Sequence, residues 1–213
     1  MDDAPHPVPL ESSADALVRK RPKPGERRLQ ILQTLAQMLQ EPGAERITTA
    51  ALAARLEVSE AALYRHFASK AQMFEGLLDF IEESVFTLVN RIVAGPASPG
   101  GIRQAHAIVT MVLQFAHKNP GMARVMVGDA LVLENLRLQQ RMNLFFDKLE
   151  SALKQVLRSD ALGDGTHAGA PDGVLVAAVL VALVMGRMQR FVRTGFAKSP
   201  TEALDAQLAW ILG

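Results

Sequence analysis

The sequence predicts an all-helical protein with a small N-terminal helix-turn-helix domain of three helices and a larger helical domain. Apolar residues recur with the 3.6-residue period of amphipathic helices, and no segment shows the period of two that strands require. Three helix start signals fall within about twenty residues, at Thr48 or Thr49, at Ser59 and at Ser69. Short helices spaced this closely are typical of a helix-turn-helix motif.

One helix is predicted before the motif and a long helix after it. Between Leu29 and Leu39, five apolar residues lie on one helical face, and Pro42-Gly43 ends this helix. Ser69 and Gln72 have the spacing of a capping box, which predicts the next start. The apolar stripe of that helix continues to Ile92, just before a Gly-Pro break. The long helix would therefore link the two domains.

Five further helices are predicted in the larger domain. They span about 102–118, 121–133, 136–158, 173–195 and 201–212. Asn119-Pro120-Gly121 separates the first two, and the glycine-rich segment 159–173 predicts a loop.

Composition indicates the cellular compartment of the protein. The 213 residues include no cysteine, which excludes disulfides and thiolate metal sites. The longest apolar run, Val174 to Met185, is shorter than the roughly 20 residues of a membrane-spanning helix, so it indicates buried core or an interface. The N-terminus has neither the basic start nor the apolar stretch of a signal peptide. These features predict a cytoplasmic protein.

Charge is unevenly distributed along the chain although the net charge is only +1. Residues 1–18 carry four acids and no base, residues 19–70 carry ten bases and five acids, and residues 71–213 carry thirteen of each. The acidic start, rich in Pro and Ser, predicts disorder. Val18 to Arg28 holds six bases and predicts a flexible arm that contacts phosphates or the minor groove. A positive N-terminal third is typical of a domain that binds nucleic acid.

The two helices of the motif are predicted at Thr49 to Leu56 and at Ser59 to His66, and the second would enter the major groove. Leu63 and Phe67 lie four residues apart and are predicted to pack inward with Val58. The candidates for contact with DNA on this helix are then Ser59, Glu60, Ala61, Tyr64, Arg65 and His66.

Five stretches of the N-terminal domain share one known pattern: Ile47-Thr48-Thr49, Leu52-Ala53, Val58-Ser59, Leu63-Tyr64-Arg65-His66-Phe67 and Ser69-Lys70. The pattern resembles the signature of TetR-family regulators. The resemblance implies a three-helix DNA-binding domain and dimerisation through the last two long helices, with Val174 to Val192 in the interface. It also implies DNA contacts by Thr48, Thr49, Tyr64, His66 and Lys70.

Two positions depart from the family pattern. Glu57 stands in the turn where the family usually has glycine, and a left-handed conformation there would cost roughly 1–2 kcal/mol. Ala68 replaces a common proline, a change that we expect to matter little.

Further stretches resemble one branch of this family, the nucleoid occlusion factors: Phe80-Ile81-Glu82, Lys118-Asn119-Pro120-Gly121 and Arg137-Leu138-Gln139-Gln140-Arg141-Met142-Asn143 followed by Phe146. This likeness covers most of residues 27–196. It implies a dimer that binds palindromic chromosomal sites and, while bound, antagonises assembly of the cell-division GTPase FtsZ. The number of dimers per site stays open.

The resemblance also implies a partner-binding surface, formed by Phe80, Met111, Gln114, Lys118 and Asn119. Phe80 lies about 120° from the centre of the apolar stripe on its helix, so we expect it outside the core. One residue of the family's partner-binding surface is missing here, because Leu88 stands where the family has an arginine. The expected domains are a tail with the basic arm at 1–25, a DNA-binding domain at 26–72, and a dimerisation and partner-binding domain at 73–213.

The sequence leaves one alternative open, a ligand-responsive repressor of the TetR type, which would need a cavity of some 300 Å³ or more in the larger domain. Six methionines there could fill a core or line such a cavity. A metal site, a cofactor and an enzyme are not expected. His106 and His117 lack metal-ligand spacing, and the paired Glu82-Glu83 is typical of a solvated helix face.

Overall fold

The computed structural model of the chain describes residues 25–41, 47–95, 100–131, 136–161 and 172–213. All regular structure in these ranges is helical, which confirms the predicted class. The helices are α1 (Glu26–Met38), α2 (Thr49–Arg55), α3 (Glu60–Tyr64), α4 (Lys70–Ala94), α5 (Gly101–Lys118), α6 (Pro120–Met126), α7 (Leu136–Ala161), α8 (Gly173–Arg193) and α9 (Leu204–Leu212), with a 3₁₀ turn at Asp129–Leu131.

The small domain has a compact core between its three short helices and the start of α4. Ile31 and Leu35 of α1, Leu52 of α2 and Leu63 of α3 are almost completely buried, as is Phe67 just beyond α3. Burial of each such side chain contributes about 1.5–3 kcal/mol. The inward orientation predicted for Leu63 and Phe67 is thus confirmed.

Helix α4 belongs to both domains. A Cβ atom added to Gly76 would lie 3.2 Å from Phe67 and 3.3 Å from Leu32, so α4 approaches the small domain closely at this position. Farther along, the rings of Phe86 and Phe145 meet edge to face with centroids 5.3 Å apart, which fixes α4 against α7. The larger domain is completed by α7, α8 and α5, which pack against one another.

The junction between the two domains is also formed by α6. A Cβ atom added to Gly121 would lie 1.9 Å from the carbonyl oxygen of Ala36 in α1, so only glycine fits there. Arg124 donates a hydrogen bond of 3.2 Å to the carbonyl oxygen of Leu39 at the end of α1. Backbone contact and a charged hydrogen bond therefore join α6 to the small domain.

Several predicted boundaries are wrong. The motif helix predicted through His66 ends at Tyr64, and α7 continues to Ala161, into the segment predicted as a loop. The helix predicted at 121–133 ends at Met126, because Gly128 adopts a φ of 81° that an α-helix cannot contain. The helix predicted from residue 201 begins at Leu204, after Ala203 at a φ of 49°. The basic arm does not extend to Arg28, since α1 begins at Glu26. The rest of the arm and the acidic tail lie outside the described residues.

Helix α8 is the most apolar long element of the larger domain. Within the described ranges it alone is long and apolar enough to cross a membrane by length and composition. Buried core helices share these properties, and Leu180, Val184 and Met188 are completely buried. On its other faces, Leu175, Val179 and Met185 are exposed. The expectation of buried core agrees with the first set, whereas the second is an apolar surface that this single chain leaves uncovered.

Candidate nucleic-acid interface

The turn between α2 and α3 has the conformation that the family pattern predicted. Glu57 adopts a φ of 53°, in the left-handed region where glycine is usual. Backbone hydrogen bonds close the turn, from the Glu57 N–H to Ala54 and from the Val58 N–H to Ala53. These bonds compensate in part for the strain of a left-handed glutamate.

Three hydroxyl side chains begin the helices around the motif, as predicted. The Thr48 hydroxyl accepts from the Ala51 N–H at 3.1 Å, and the Ser59 hydroxyl accepts from the Ala62 N–H at 3.3 Å. At the start of α4, Ser69 accepts from the Gln72 N–H at 3.2 Å. The capping box is altered there, because the Gln72 side chain accepts from Ala68 at 2.8 Å and not from Ser69. Thr48 and Ser59 therefore have structural roles beside the expected DNA contacts.

A hydrogen-bonded group links α2 to α3 on the exposed side of the motif. The Thr49 hydroxyl donates to Glu60 Oε2 at 2.6 Å. The Tyr64 hydroxyl lies 3.5 Å from Thr49 Oγ1, at the limit of a hydrogen bond. Three of the residues predicted to contact DNA are thus brought together before any DNA is bound.

The remaining candidates flank this group. Ala61, Arg65 and His66 are exposed on α3 and just after it. Lys70 is half-buried at the start of α4, with its ammonium 5.6 Å from the centroid of the Phe74 ring. We call the whole set the reading surface: Thr48, Thr49, Ser59, Glu60, Ala61, Tyr64, Arg65, His66 and Lys70.

Arg28 was missed as a structural residue because it was assigned to the flexible arm. Its Nη1 donates to the carbonyl oxygen of His66 at 3.1 Å, and its guanidinium lies 4.2 Å from the centroid of the Phe67 ring. The first turn of α1 therefore holds the end of α3. The signal was its spacing, because Arg28 lies three and four residues before the buried Ile31 and Leu32.

The residues expected to bind a partner lie on α4, α5 and the turn after α5. Phe80 lies outside the core with 39% of its surface exposed, as predicted. Gln114 and Lys118 are exposed, whereas Met111 and Asn119 are half-buried. The Asn119 amide donates to the Phe115 carbonyl at 2.8 Å. We call these five residues the flank surface.

The arrangement of α4 and α5 bears on whether this surface is continuous. The Gln104 amide donates to the carbonyl oxygens of Ile92 and Val93, so the start of α5 contacts the end of α4. Phe80 lies twelve residues before Ile92, and Ala116 lies twelve after Gln104, a distance of about 18 Å along each helix. For adjacent antiparallel helices, Phe80 is then level with the end of α5, where Lys118 lies.

An ion-pair network fixes the other side of α4. Arg141 of α7 bonds both Asp79 and Glu82, and Lys148 lies 3.0 Å from Glu82. Burial raises the pKa of Glu82, but the hydrogen bonds and charges of Arg141 and Lys148 outweigh burial and hold this pKa below its ordinary value. Burial likewise lowers the pKa of Arg141, but its two carboxylate partners leave it above the ordinary value.

The described part of the larger domain includes two grooves. One, of about 410 Å³, lies between α6, α7 and α8. It is lined by Met126, Met142, Phe146 and Met185 and by polar side chains such as Gln139. The other, of about 490 Å³, lies along α8 toward the start of α9 and includes Arg187 and Gln207. Met188 is completely buried and lines neither of these grooves.

Comparison with known proteins agrees with both domains. A model of SlmA-like C-terminal domains, described as "Tetracyclin repressor-like, C-terminal domain", matches residues 101–212. A model described as "Bacterial regulatory proteins, tetR family" matches residues 31–77. Among solved structures, the fatty acid degradation regulator FadR from Bacillus halodurans has a TM-score of 0.71 at 17% identity, over 89% of this chain and 96% of that one. The ketosteroid regulator KstR2 of Mycobacterium tuberculosis has a TM-score of 0.68 at 20% identity, over 88% and 93%. These structures show the fold alone.

Sequence relatives are more informative than the structures. Nucleoid occlusion factor SlmA of Marinomonas sp. is 50% identical over 186 residues, which cover 87% of this chain and 92% of the relative. The protein of the same name from Alteromonas mediterranea is 46% identical over 187 residues, covering 88% and 94%. This chain therefore belongs to the SlmA family of nucleoid occlusion factors, within the TetR family of DNA-binding regulators.

Proposed function

We propose that this protein is a cytoplasmic, nucleoid-associated nucleoid occlusion factor that binds palindromic chromosomal sites as a dimer and, while bound, antagonises FtsZ assembly. The observation that carries the proposal is the identity of 46–50% with proteins of that name over more than four fifths of the chain. The role is one of binding, without catalysis or a cofactor. We keep residues 26–72 as the DNA-binding domain and 73–213 as the dimerisation and partner-binding domain.

The proposed DNA contact uses the reading surface. Helix α3 is short and exposed on its polar side, which suits a helix that enters the major groove. In a dimer on a palindrome, two copies of α3 would lie in successive major grooves about 34 Å apart. Residues 19–70 carry ten bases and five acids, and four of these bases lie at positions 19–23, in the arm before the domain. The arm and the domain together would therefore attract the phosphate backbone.

The proposed dimer contact uses the exposed apolar side of α8 together with α9. Leu175 and Val179 lie four residues apart on α8, and the small residues Ala182 and Gly186 continue this face at the same helical spacing. Trp210 of α9 is 87% exposed. An exposed face of large and small apolar residues suits close contact with a second copy of the chain.

The proposed FtsZ contact uses the flank surface. A set that combines an exposed aromatic ring with polar and basic side chains has the composition of a protein-binding anchor. Phe80 is the best single test, because truncation of a side chain that is 39% exposed leaves no core cavity.

The test is sedimentation of FtsZ polymer with GTP, with this protein added with and without a duplex that carries its selected palindromic site. We expect a loss of pelleted polymer that requires the specific duplex. Phe80→Ala should retain DNA binding and lose the antagonism. The matched control is Leu144→Ala, because Leu144 is another exposed apolar residue, on α7. Unchanged polymer under conditions of confirmed DNA binding would reject the proposal.

The groove of about 410 Å³ keeps a ligand-responsive repressor as a second candidate function, since its volume and methionine-rich wall suit a small apolar molecule. A fluorescent apolar dye tests it. Dye binding that is lost in a Met142→Gln variant shown by circular dichroism to be folded, together with release of operator DNA by the dye, would favour the repressor. Full DNA binding at saturating dye would count against it.

A further inference from the structure

Glu60 is an acidic residue in the middle of the reading surface. It is the first residue of α3 and is exposed. A carboxylate at this position repels the phosphates that the rest of the domain attracts, and therefore weakens binding to DNA of any sequence. Such a group favours binding only where the DNA offers it a hydrogen-bond donor.

The Glu60 carboxylate is already held in one orientation. Its Oε2 accepts a bond of 2.6 Å from the Thr49 hydroxyl, and that hydroxyl lies beside Tyr64. In the described part of the chain no donor contacts the other oxygen, Oε1. Orientation before binding reduces the conformational entropy that a contact through this oxygen would cost. The hydroxyl hydrogen of Thr49 is used in this bond, so the role of Thr49 is to position the Glu60 carboxylate.

The chemistry of the DNA bases limits which hydrogen-bond donors the Glu60 carboxylate could contact. In the major groove, only cytosine N4 and adenine N6 present amino donors. Adenine places the N7 acceptor beside its amino group, which repels a carboxylate, whereas cytosine presents the amino donor without that neighbour. Guanine and thymine present acceptors there, and thymine adds a methyl group.

We infer that Glu60 selects a cytosine in each half-site by accepting a hydrogen bond from its exocyclic amino group, and that Thr49 holds the carboxylate in place. The inference rests on the proposed DNA recognition by α3 and makes it specific. Glu60 is a specificity-determining residue, and Thr49 is its positioning residue.

The experiment is selection of palindromic sites from a random duplex library, followed by affinity measurements on single-base variants of the selected site. Wild type should enrich a cytosine at one position of each half-site and bind other bases there about tenfold more weakly, the discrimination typical of one base contact. Glu60→Gln should lose most of this preference, because an amide both donates and accepts and tolerates other bases. Its affinity for unrelated duplexes should rise.

Two further variants separate the causes. Glu83→Gln removes one exposed acid from α4, away from the reading surface, and should change no base preference. Thr49→Val keeps the shape of the side chain without the hydroxyl, and should weaken the same cytosine preference more than preferences elsewhere. Circular dichroism would show that each variant is folded.

The outcomes distinguish this inference from the function on which it rests. If wild type selects no sequence, the proposed function fails. If wild type selects a palindrome but Glu60→Gln keeps every base preference and only binds all duplexes more tightly, Glu60 is merely a repulsive charge. If folded Glu60→Gln binds no duplex, Glu60 serves the structure of the motif. Either of the last two results overturns the inference and leaves the function intact.

Discussion

The small and the larger domain are stabilised in different ways. Helices α2 and α3 have seven and five residues, lengths at which an isolated helix is unstable, and they depend on side-chain caps, the Arg28 contact and a small shared core. Helices α7 and α8 have 26 and 21 residues and pack through long apolar faces. The polar contacts orient exposed side chains, whereas the apolar faces provide burial and a surface for a second chain. We therefore expect substitutions at the junction between the two domains to lower the free energy of unfolding more than substitutions within either domain.

The largest effect is expected at Gly121. In Gly121→Ala the new Cβ would meet backbone, the Ala36 carbonyl oxygen at 1.9 Å, so α1 and α6 must separate. We expect a loss of about 3 kcal/mol or more in the free energy of unfolding. Gly76→Ala is the matched comparison, since its Cβ would meet only side-chain atoms at 3.2 Å or more, and it should cost clearly less. Denaturant unfolding of both variants measures this, and equal losses would contradict it.

The second-largest effect on stability is expected at Arg124. Its side chain is 13% exposed, and it contacts the Leu39 carbonyl, Asp129 and the Phe196 ring. The Nε atom lies 3.2 Å from Asp129 Oδ2 but has no hydrogen bond of acceptable geometry, so we regard this contact as an ion pair only. Arg124→Met should cost about 2 kcal/mol through the lost bond to Leu39. Asp129→Asn should cost much less, and a similar loss in both would show that the ion pair dominates.

Substitutions at Thr48 and Tyr64 distinguish effects on stability from effects on DNA binding in the small domain. Thr48→Ala removes the cap of α2 and should lower stability by about 1 kcal/mol, whereas Thr48→Ser should retain it. Tyr64→Phe removes only a hydroxyl at the limit of bonding distance from Thr49, so stability should hardly change while specific DNA binding weakens. Thermal unfolding and duplex titration would measure the two effects. A Tyr64→Phe variant as unstable as Thr48→Ala would mean that the hydroxyl is structural.

Sequence reasoning succeeded where a local pattern determines the structure. The caps at Thr48, Ser59 and Ser69, and the apolar stripe of α4, depend on neighbours three or four residues away. The left-handed turn at Glu57 was predicted because a family pattern places glycine there. Such features are visible in a single sequence, and so were the residues of the reading surface as candidates.

Contacts between distant parts of the chain were not predicted. The Arg28 contact with His66 spans 38 residues, and the Arg124 contact with Leu39 spans 85. Arg28 was assigned to the flexible arm and no role was predicted for Arg124, since no local spacing shows which carbonyl a guanidinium will meet. The hydrogen bond from Thr49 to Glu60 crosses between two helices and was missed for the same reason. The sequence predicted which residues contact DNA, but not how they hold one another.

The smallest effect concerns the ion-pair network between α4 and α7. The pKa of Glu82 is lowered in the folded protein, so its contribution to stability is complete above its unfolded value of 4.5 and is lost as pH falls below that value. Since the Arg141 side chain is 30% exposed, solvent screening limits the contribution to about 1 kcal/mol. The difference in unfolding free energy between wild type and Glu82→Gln should therefore shrink as pH falls from 6 toward 3. Glu83→Gln, which removes an exposed carboxylate of the same helix, is the matched control. A difference that persists at low pH would mean that the Glu82 side chain acts through shape and neutral hydrogen bonds, and that α4 is fixed to α7 mainly by the Phe86 and Phe145 rings.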